Sequence, residues 1–136
     1  MIKLLTTTVI SLLLSLQTLA ASDYSLQEKL ACAADSMYIY NFPLAMARSA
    51  PGQEQEVQYI QSIQLTWYTT ILNNLIETEK TIDEAKKIIK AEIDKSTTKI
   101  DNILKDANRK NFNELFETKV LPIQIECNRK FIEKSE

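Results

Sequence analysis

The stretch KLACAADSMYIYNFP, Lys29 to Pro43, sets one cysteine among small residues, follows it with Tyr38, Tyr40 and Phe42, and closes on a proline. The chain has only two cysteines. Cys127 is therefore the only internal partner open to Cys32, and whether the two can meet decides the fold.

Helical periodicity says that they can. Ser25-Leu26-Gln27-Glu28 fits a capping box, in which the serine caps a helix and Glu28 reaches back. Leu26, Leu30, Ala33, Met37, Tyr40 and Leu44 follow at steps of four and three, which keeps one side apolar. Near the other end, Phe112, Phe116, Val120, Ile123, Cys127 and Phe131 repeat the spacing. If the first and last helices of a bundle run antiparallel, both cysteines lie roughly 10 Å from the same end at 1.5 Å per residue. Cys32 also falls off the Leu26–Leu30–Met37 face, on the side of Ile39, so it can address one neighbour while the main face packs on others. A bond closing a loop of about 95 residues is worth roughly 4 to 5 kcal/mol in the chain-entropy model. A redox-active pair would need the close spacing of a Cys-x-x-Cys motif, which is absent. The expected fold is all-α: an antiparallel bundle of about four helices, with the first and last joined by a Cys32–Cys127 disulfide.

Two further helices fill the middle. From about Gln53 to Glu77, Val57, Ile60, Ile63, Trp67, Ile71 and Leu75 share a face, with Gln55, Ser62, Thr66, Thr69 and Asn73 opposite. Gln64 falls inside the apolar arc, where its amide needs hydrogen-bond partners. Thr81-Ile82-Asp83-Glu84 is a second capping box. It opens a helix of about 25 residues with a narrow stripe of Ile82, Ala85, Ile89, Ile93, Ile100, Ile103, Leu104 and Ala107. Asp83–Lys87, Asp101–Lys105 and Asp106–Lys110 stand four apart in the favourable order for ion pairs. Ser96-Thr97-Thr98 reads as this helix's weakest point. Asn111 with Glu114 is a cap-like pair opening the last helix. Pro43 predicts a kink or break that takes Phe42 out of helix, and Pro122 predicts a bend.

The first twenty residues stand apart. One early cation, Lys3, precedes an apolar stretch, and Thr18 and Ala20 occupy the −3 and −1 positions for cleavage after Ala20. This is the pattern of a secretory signal peptide, and the apolar stretch is shorter than a spanning helix needs. A lipid anchor on Cys32 is rejected, because Asp23, Glu28 and Lys29 separate it from the apolar stretch. The reading is a signal peptide at 1–20 and one helical domain at 21–136, in the periplasm or outside the cell. No stable membrane insertion is expected after cleavage. An oxidising destination is also where a cysteine pair closes.

Composition removes most chemistry. The formal charge is −2, so there is no basic surplus to neutralise phosphates, which argues against nucleic-acid binding. With no histidine, the usual general base and the commonest zinc ligand are missing. One glycine builds no phosphate-cradling loop. The carboxylates Asp83, Glu84, Glu114, Glu117 and Glu126 have plain roles at helix starts or on polar faces. The expectation is a protein that is not an enzyme and takes no metal and no cofactor.

What stands above background is aromatic. Tyr38, Tyr40 and Phe42 crowd the end of the first helix, and Trp67 and Tyr68 lie midway along the second. Aromatics at helical spacing ordinarily pack into a core. A groove at the Pro43 kink is the functional alternative, since Tyr and Trp concentrate at binding hot spots. Three roles suit such a bundle: an inhibitor that occludes another exported protein, a chaperone that exposes apolar surface conditionally, and a carrier of a small apolar ligand.

The layout also resembles the periplasmic immunity proteins that neutralise type VI secretion effectors. The resemblance rests on the export signal at 1–20, LACAAD around Cys32 and IECNRKF around Cys127, and covers the mature chain in layout. It implies a non-enzymatic helical protein that binds and inhibits an exported partner protein. No partner-contacting motif aligns residue by residue, so no site is carried over from it.

Overall fold

In a computed structural model that describes residues 25–131, the chain forms α1 (Leu26–Ile39), α2 (Asn41–Ser49), α3 (Glu54–Glu77), α4 (Ile82–Ile103), α5 (Phe112–Leu115), a π-helical turn (Phe116–Val120) and α6 (Leu121–Phe131). Among the described residues there is no β-strand. The signal-peptide reading at 1–20 lies outside the described residues.

The two sulfurs meet. Cys32 in α1 and Cys127 in α6 form a disulfide with a Cα–Cα distance of 5.5 Å, closing a loop across 95 positions. The bond lies where α1 needs support. Leu30 and every residue from Cys32 to Met37 are buried, and so is Ile39. A helix buried on most of its circumference must touch several neighbours, and α1 packs on α3, α4 and α6. The alanines in the opening stretch serve this arrangement. Ala33 and Ala34 are 1% and 0% exposed, and side chains that small let neighbouring helices approach closely.

The core divides along α1. Leu30, Ala33 and Met37 pack with Ile71 and Leu75 of α3 and with Ala85 and Ile89 of α4. Further along, Ile39 packs with Ile100 and with Val120 of the π turn. Leu44 and Ala47 of α2 pack on Ile60 of α3. Ile39 and Cys32 thus both face the last segment, as their shared side of the helix predicts.

Both predicted N-caps at Ser25 and Thr81 form, but only the second is a full capping box. Ser25 Oγ accepts the Glu28 N–H at 3.1 Å. Thr81 and Glu84 form the full box: Glu84 N–H donates to Thr81 Oγ1 at 3.1 Å, and Thr81 N–H donates to Glu84 Oε2 at 2.8 Å. Asn111 does not cap its helix; its Oδ1 accepts the Asn108 N–H and holds the preceding loop.

Both prolines act differently from expectation. The break falls at Tyr40, three residues before Pro43, and Phe42 stays helical. Pro43 cannot donate to the Ile39 carbonyl one turn back, so the ladder lapses there. It resumes at once, with Leu44 N–H donating to the Tyr40 carbonyl at 3.1 Å. Pro43 itself sits in the first turn of α2, where a missing N–H costs nothing. Pro122 likewise sits in the first turn of α6. The turn before it is π-helical, with Leu121 N–H donating to the Phe116 carbonyl, so the irregularity is taken up ahead of the proline.

The charged helix α4 holds the largest departure. It ends at Ile103, somewhat short of the expected length, and Ile82 is exposed, not part of the buried stripe. None of the three expected i,i+4 pairs is among the ion pairs of the described residues; α4 carries Lys90–Asp94 and Glu92–Lys95 instead. Ser96, read as the weak point, is an anchor. It is buried, and its Oγ donates to Asp35 Oδ1 at 2.7 Å. Lys99 Nζ reaches Asp35 Oδ2, also at 2.7 Å. Asp35 is only 5% exposed, so a charge inside the α1–α4 seam is held by two α4 side chains one turn apart. A buried carboxylate is tolerated only when paired and hydrogen-bonded, so these bonds fix the register of α4 along α1.

Two stability changes follow. Replacing both cysteines by alanine lowers the unfolding free energy in urea by about 4 to 5 kcal/mol, the chain-entropy value for this loop. Asp35→Ala, which strands the buried Ser96 hydroxyl, costs about 2 to 3 kcal/mol by the same measurement, and Asp35→Asn, which keeps an acceptor for Ser96, costs less.

Candidate functional site

The junction between α1 and α2 carries an aromatic cluster. The Tyr38 and Phe42 rings meet edge to face at 5.7 Å. Phe42 also lies 5.4 Å from Phe116 and 6.0 Å from Phe112, and those two rings stack at 5.8 Å. The spacing explains the grouping: Tyr38 and Phe42 are one turn apart in sequence, as are Phe112 and Phe116, so the two pairs form adjacent ladders.

Polar bonds hold the cluster at both edges. The Tyr38 hydroxyl donates to Asp101 Oδ1 of α4. Gln64 of α3 donates its amide to the Met37 carbonyl at 2.9 Å and to Asn41 Oδ1 at 2.8 Å. The glutamine inside the apolar arc thus finds partners, and it clamps α3 to the point where the α1 ladder lapses. The two bonds tie α3 to both sides of the kink.

Beside the cluster lies an open groove of about 370 Å³, lined by Tyr38, Asn41, Phe42, Ala45, Met46 and Phe112. Met46 stands on its rim with 66% of its surface exposed. An unbranched, polarisable thioether beside aromatic edges is a surface that adapts to varied apolar shapes. At the edge of the groove, Asp101 accepts the hydrogen bond from the Tyr38 hydroxyl.

Of the five aromatics singled out from the sequence, the groove gathers two. Tyr38 and Phe42 line it. Tyr40 points elsewhere, onto the Leu44–Ala47–Ile60 cluster. Trp67 and Tyr68 pack against the Leu30–Met37–Ile71 core. These two side chains join a different core cluster from Tyr38 and Phe42. Asn41, Ala45, Met46 and Phe112 were missed. Met46 had a signal: it is apolar yet lies off the Leu44–Ala47 face of its own helix.

Burial, the Asp101 hydrogen bond and the Asp101 charge, in that order, push the Tyr38 phenol up to about 12. Burial raises Tyr40 as well, against the Asn128 hydrogen bond. Among the described residues no three His, Cys, Asp or Glu side chains converge to hold a metal, and no helix is long and apolar enough to cross a membrane.

Among known proteins, no family model matches the chain, no curated protein matches it, and no solved structure matches its fold.

The raised phenol has a testable consequence. The folded state holds the Tyr38 proton more tightly than the unfolded chain, whose tyrosines ionise near 10. The stability this contributes is complete below about pH 10 and is lost as pH rises toward about 12. Absorbance titration at 295 nm should show a tyrosine ionising late in that window. Tyr38→Phe removes that transition, and the stability of the variant falls less steeply between pH 10 and 12.

Proposed function

We propose that this chain is an exported, non-enzymatic helical protein that binds another exported protein and inhibits it, in the manner of an immunity protein. The carrying observation is the groove at the α1–α2 junction: an adaptable apolar surface, rimmed by exposed Met46. A binder that acts by occlusion needs a fixed shape more than chemistry. The disulfide, the buried Asp35 contacts and the Gln64 clamp supply the fixed shape. Preorganised surfaces lose less entropy on association, so more of the contact energy appears as affinity. The disulfide also fits an oxidising compartment, in keeping with the export signal read from residues 1–20. The layout shared with periplasmic immunity proteins supports the same reading.

The groove's size also falls within the range of small-molecule sites, which favours a carrier of an apolar ligand as the second reading. The two separate by what co-purifies. Immobilised protein is exposed to periplasmic extracts of its own and neighbouring bacteria. The inhibitor reading expects one protein captured in a fixed stoichiometric ratio, with a toxic or enzymatic activity that the bound chain suppresses. Met46→Glu, at an exposed position, should leave the melting temperature unchanged and weaken that complex roughly 10- to 100-fold. A stoichiometric lipid or other apolar molecule in the purified protein, with no such protein captured, would replace the inhibitor reading by the carrier.

A further inference from the structure

Met46 is the most exposed large apolar side chain among the described residues, with 66% of its surface open to solvent. It lies off the Leu44–Ala47 face that packs on Ile60, and outside all three core clusters. What it lines is the groove, together with Tyr38, Phe42 and Phe112. Its chemistry sets it apart from the exposed Leu65, Ile76, Ile82 and Ile125. A thioether carries a lone pair that two-electron oxidants take, and an aliphatic side chain has none. Elsewhere the sulfur of the bundle is shielded. Met37, the other methionine of the described residues, is 9% exposed and packs in the main core. Cys32 and Cys127 are buried and bonded to each other, so they leave no thiol to compete. An oxidant meeting the folded bundle thus finds one open sulfur among the described residues, on the rim of the groove.

We propose that Met46 is an oxidation site, and that its conversion to the sulfoxide weakens the binding of apolar groups in the groove. The oxidant is a hydroperoxide, of which hydrogen peroxide is the simplest. The Met46 sulfur attacks one peroxide oxygen with its lone pair. An S–O bond forms as the O–O bond breaks. The departing hydroxide takes the proton from the transferred oxygen and leaves as water. The sulfur gives up two electrons, and the peroxide oxygens gain them. The product is a polar, chiral side chain in place of a flexible apolar one. Its oxygen holds water at the rim, and an apolar group that enters must displace that water at a cost. The same thioether that lets the groove adapt to apolar shapes therefore makes its affinity sensitive to peroxide. The effect on binding rests on the groove being the binding surface, whether a protein or a small molecule fills it.

The disulfide-bonded protein is treated with hydrogen peroxide under native conditions and then cut with chymotrypsin at Tyr38 and Tyr40, which separates Met37 from Met46. Mass spectrometry follows the gain of one oxygen on each fragment. Met46 should oxidise at least about tenfold faster than Met37, and in urea the two rates should converge, because only burial distinguishes the two sulfurs. The groove is read by titration with N-phenyl-1-naphthylamine, a neutral apolar dye that brightens on leaving water. Peroxide should weaken dye binding by the wild type roughly tenfold. Met46→Gln, polar and uncharged, should weaken it similarly without peroxide. Met46→Leu should bind the dye equally before and after treatment. Comparable rates at Met37 and Met46 in the folded protein overturn the oxidation site and leave the reading of the groove standing. Unchanged dye affinity of the wild-type sulfoxide, or a loss after peroxide in Met46→Leu, overturns the link between Met46 and binding. An untreated protein that binds no dye, with Met46 still selectively oxidised, overturns the groove as a binding surface and that link with it.

Discussion

The covalent tie between Cys32 and Cys127 is the constraint on which the rest of the molecule depends. It joins the most enclosed helix to the last one. The α1 helix has almost no solvent-facing side over its second half, so it holds its place only while α3, α4 and α6 surround it together. The segment containing α6 is the most irregular of these neighbours, interrupted by a π turn and a proline. Without a bond across the chain, the entropy gained by releasing that segment would compete directly with the contacts it makes. The disulfide removes much of that competition from the unfolded state. It also brings the terminal aromatic ladder, Phe112 and Phe116, to the seam where Phe42 waits.

A second constraint is electrostatic. Asp35 is buried in the α1–α4 seam, and Ser96 and Lys99 meet its two oxygens. Apolar ridges alone tolerate sliding by a turn, because isoleucines repeat along α4 at the same spacing as the pockets they fill. A buried carboxylate does not tolerate it, since a slipped register would leave the charge without partners. That register places Asp101 opposite Tyr38, and the Tyr38 bond in turn fixes one wall of the groove. The groove is thus downstream of a contact that no part of it touches.

The kink shows how a sequence defect becomes a feature. Pro43 withdraws one donor from the helical ladder, and α1 gives way to α2 with only Tyr40 between them. Gln64 binds the Met37 carbonyl and the Asn41 side chain, which ties α3 to both sides of the lapse. The change of direction turns Ala45 and Met46 toward Phe112 and opens the apolar surface between them.

The helices, their caps at Ser25 and Thr81, the faces they bury and the pairing of the cysteines were legible in the sequence, because each depends on local spacing or on counting. Period, capping geometry and a two-cysteine inventory need no knowledge of what lies across the core. The partners of Asp35, the role of Ser96 and the dispersal of the aromatics were not legible, because each depends on which turn of one helix lies against which turn of another. Asp35 is an ordinary acidic residue until α4 brings Ser96 and Lys99 to it. Tyr38, Tyr40 and Phe42 are neighbours in the chain, yet a helix sends Tyr40 to a different side, and only the docking of α5 decides that Phe112 completes the groove. Local physics determines which residues are helical and which side is apolar, whereas a site is made by rotation and register between helices, and those belong to the packed molecule alone.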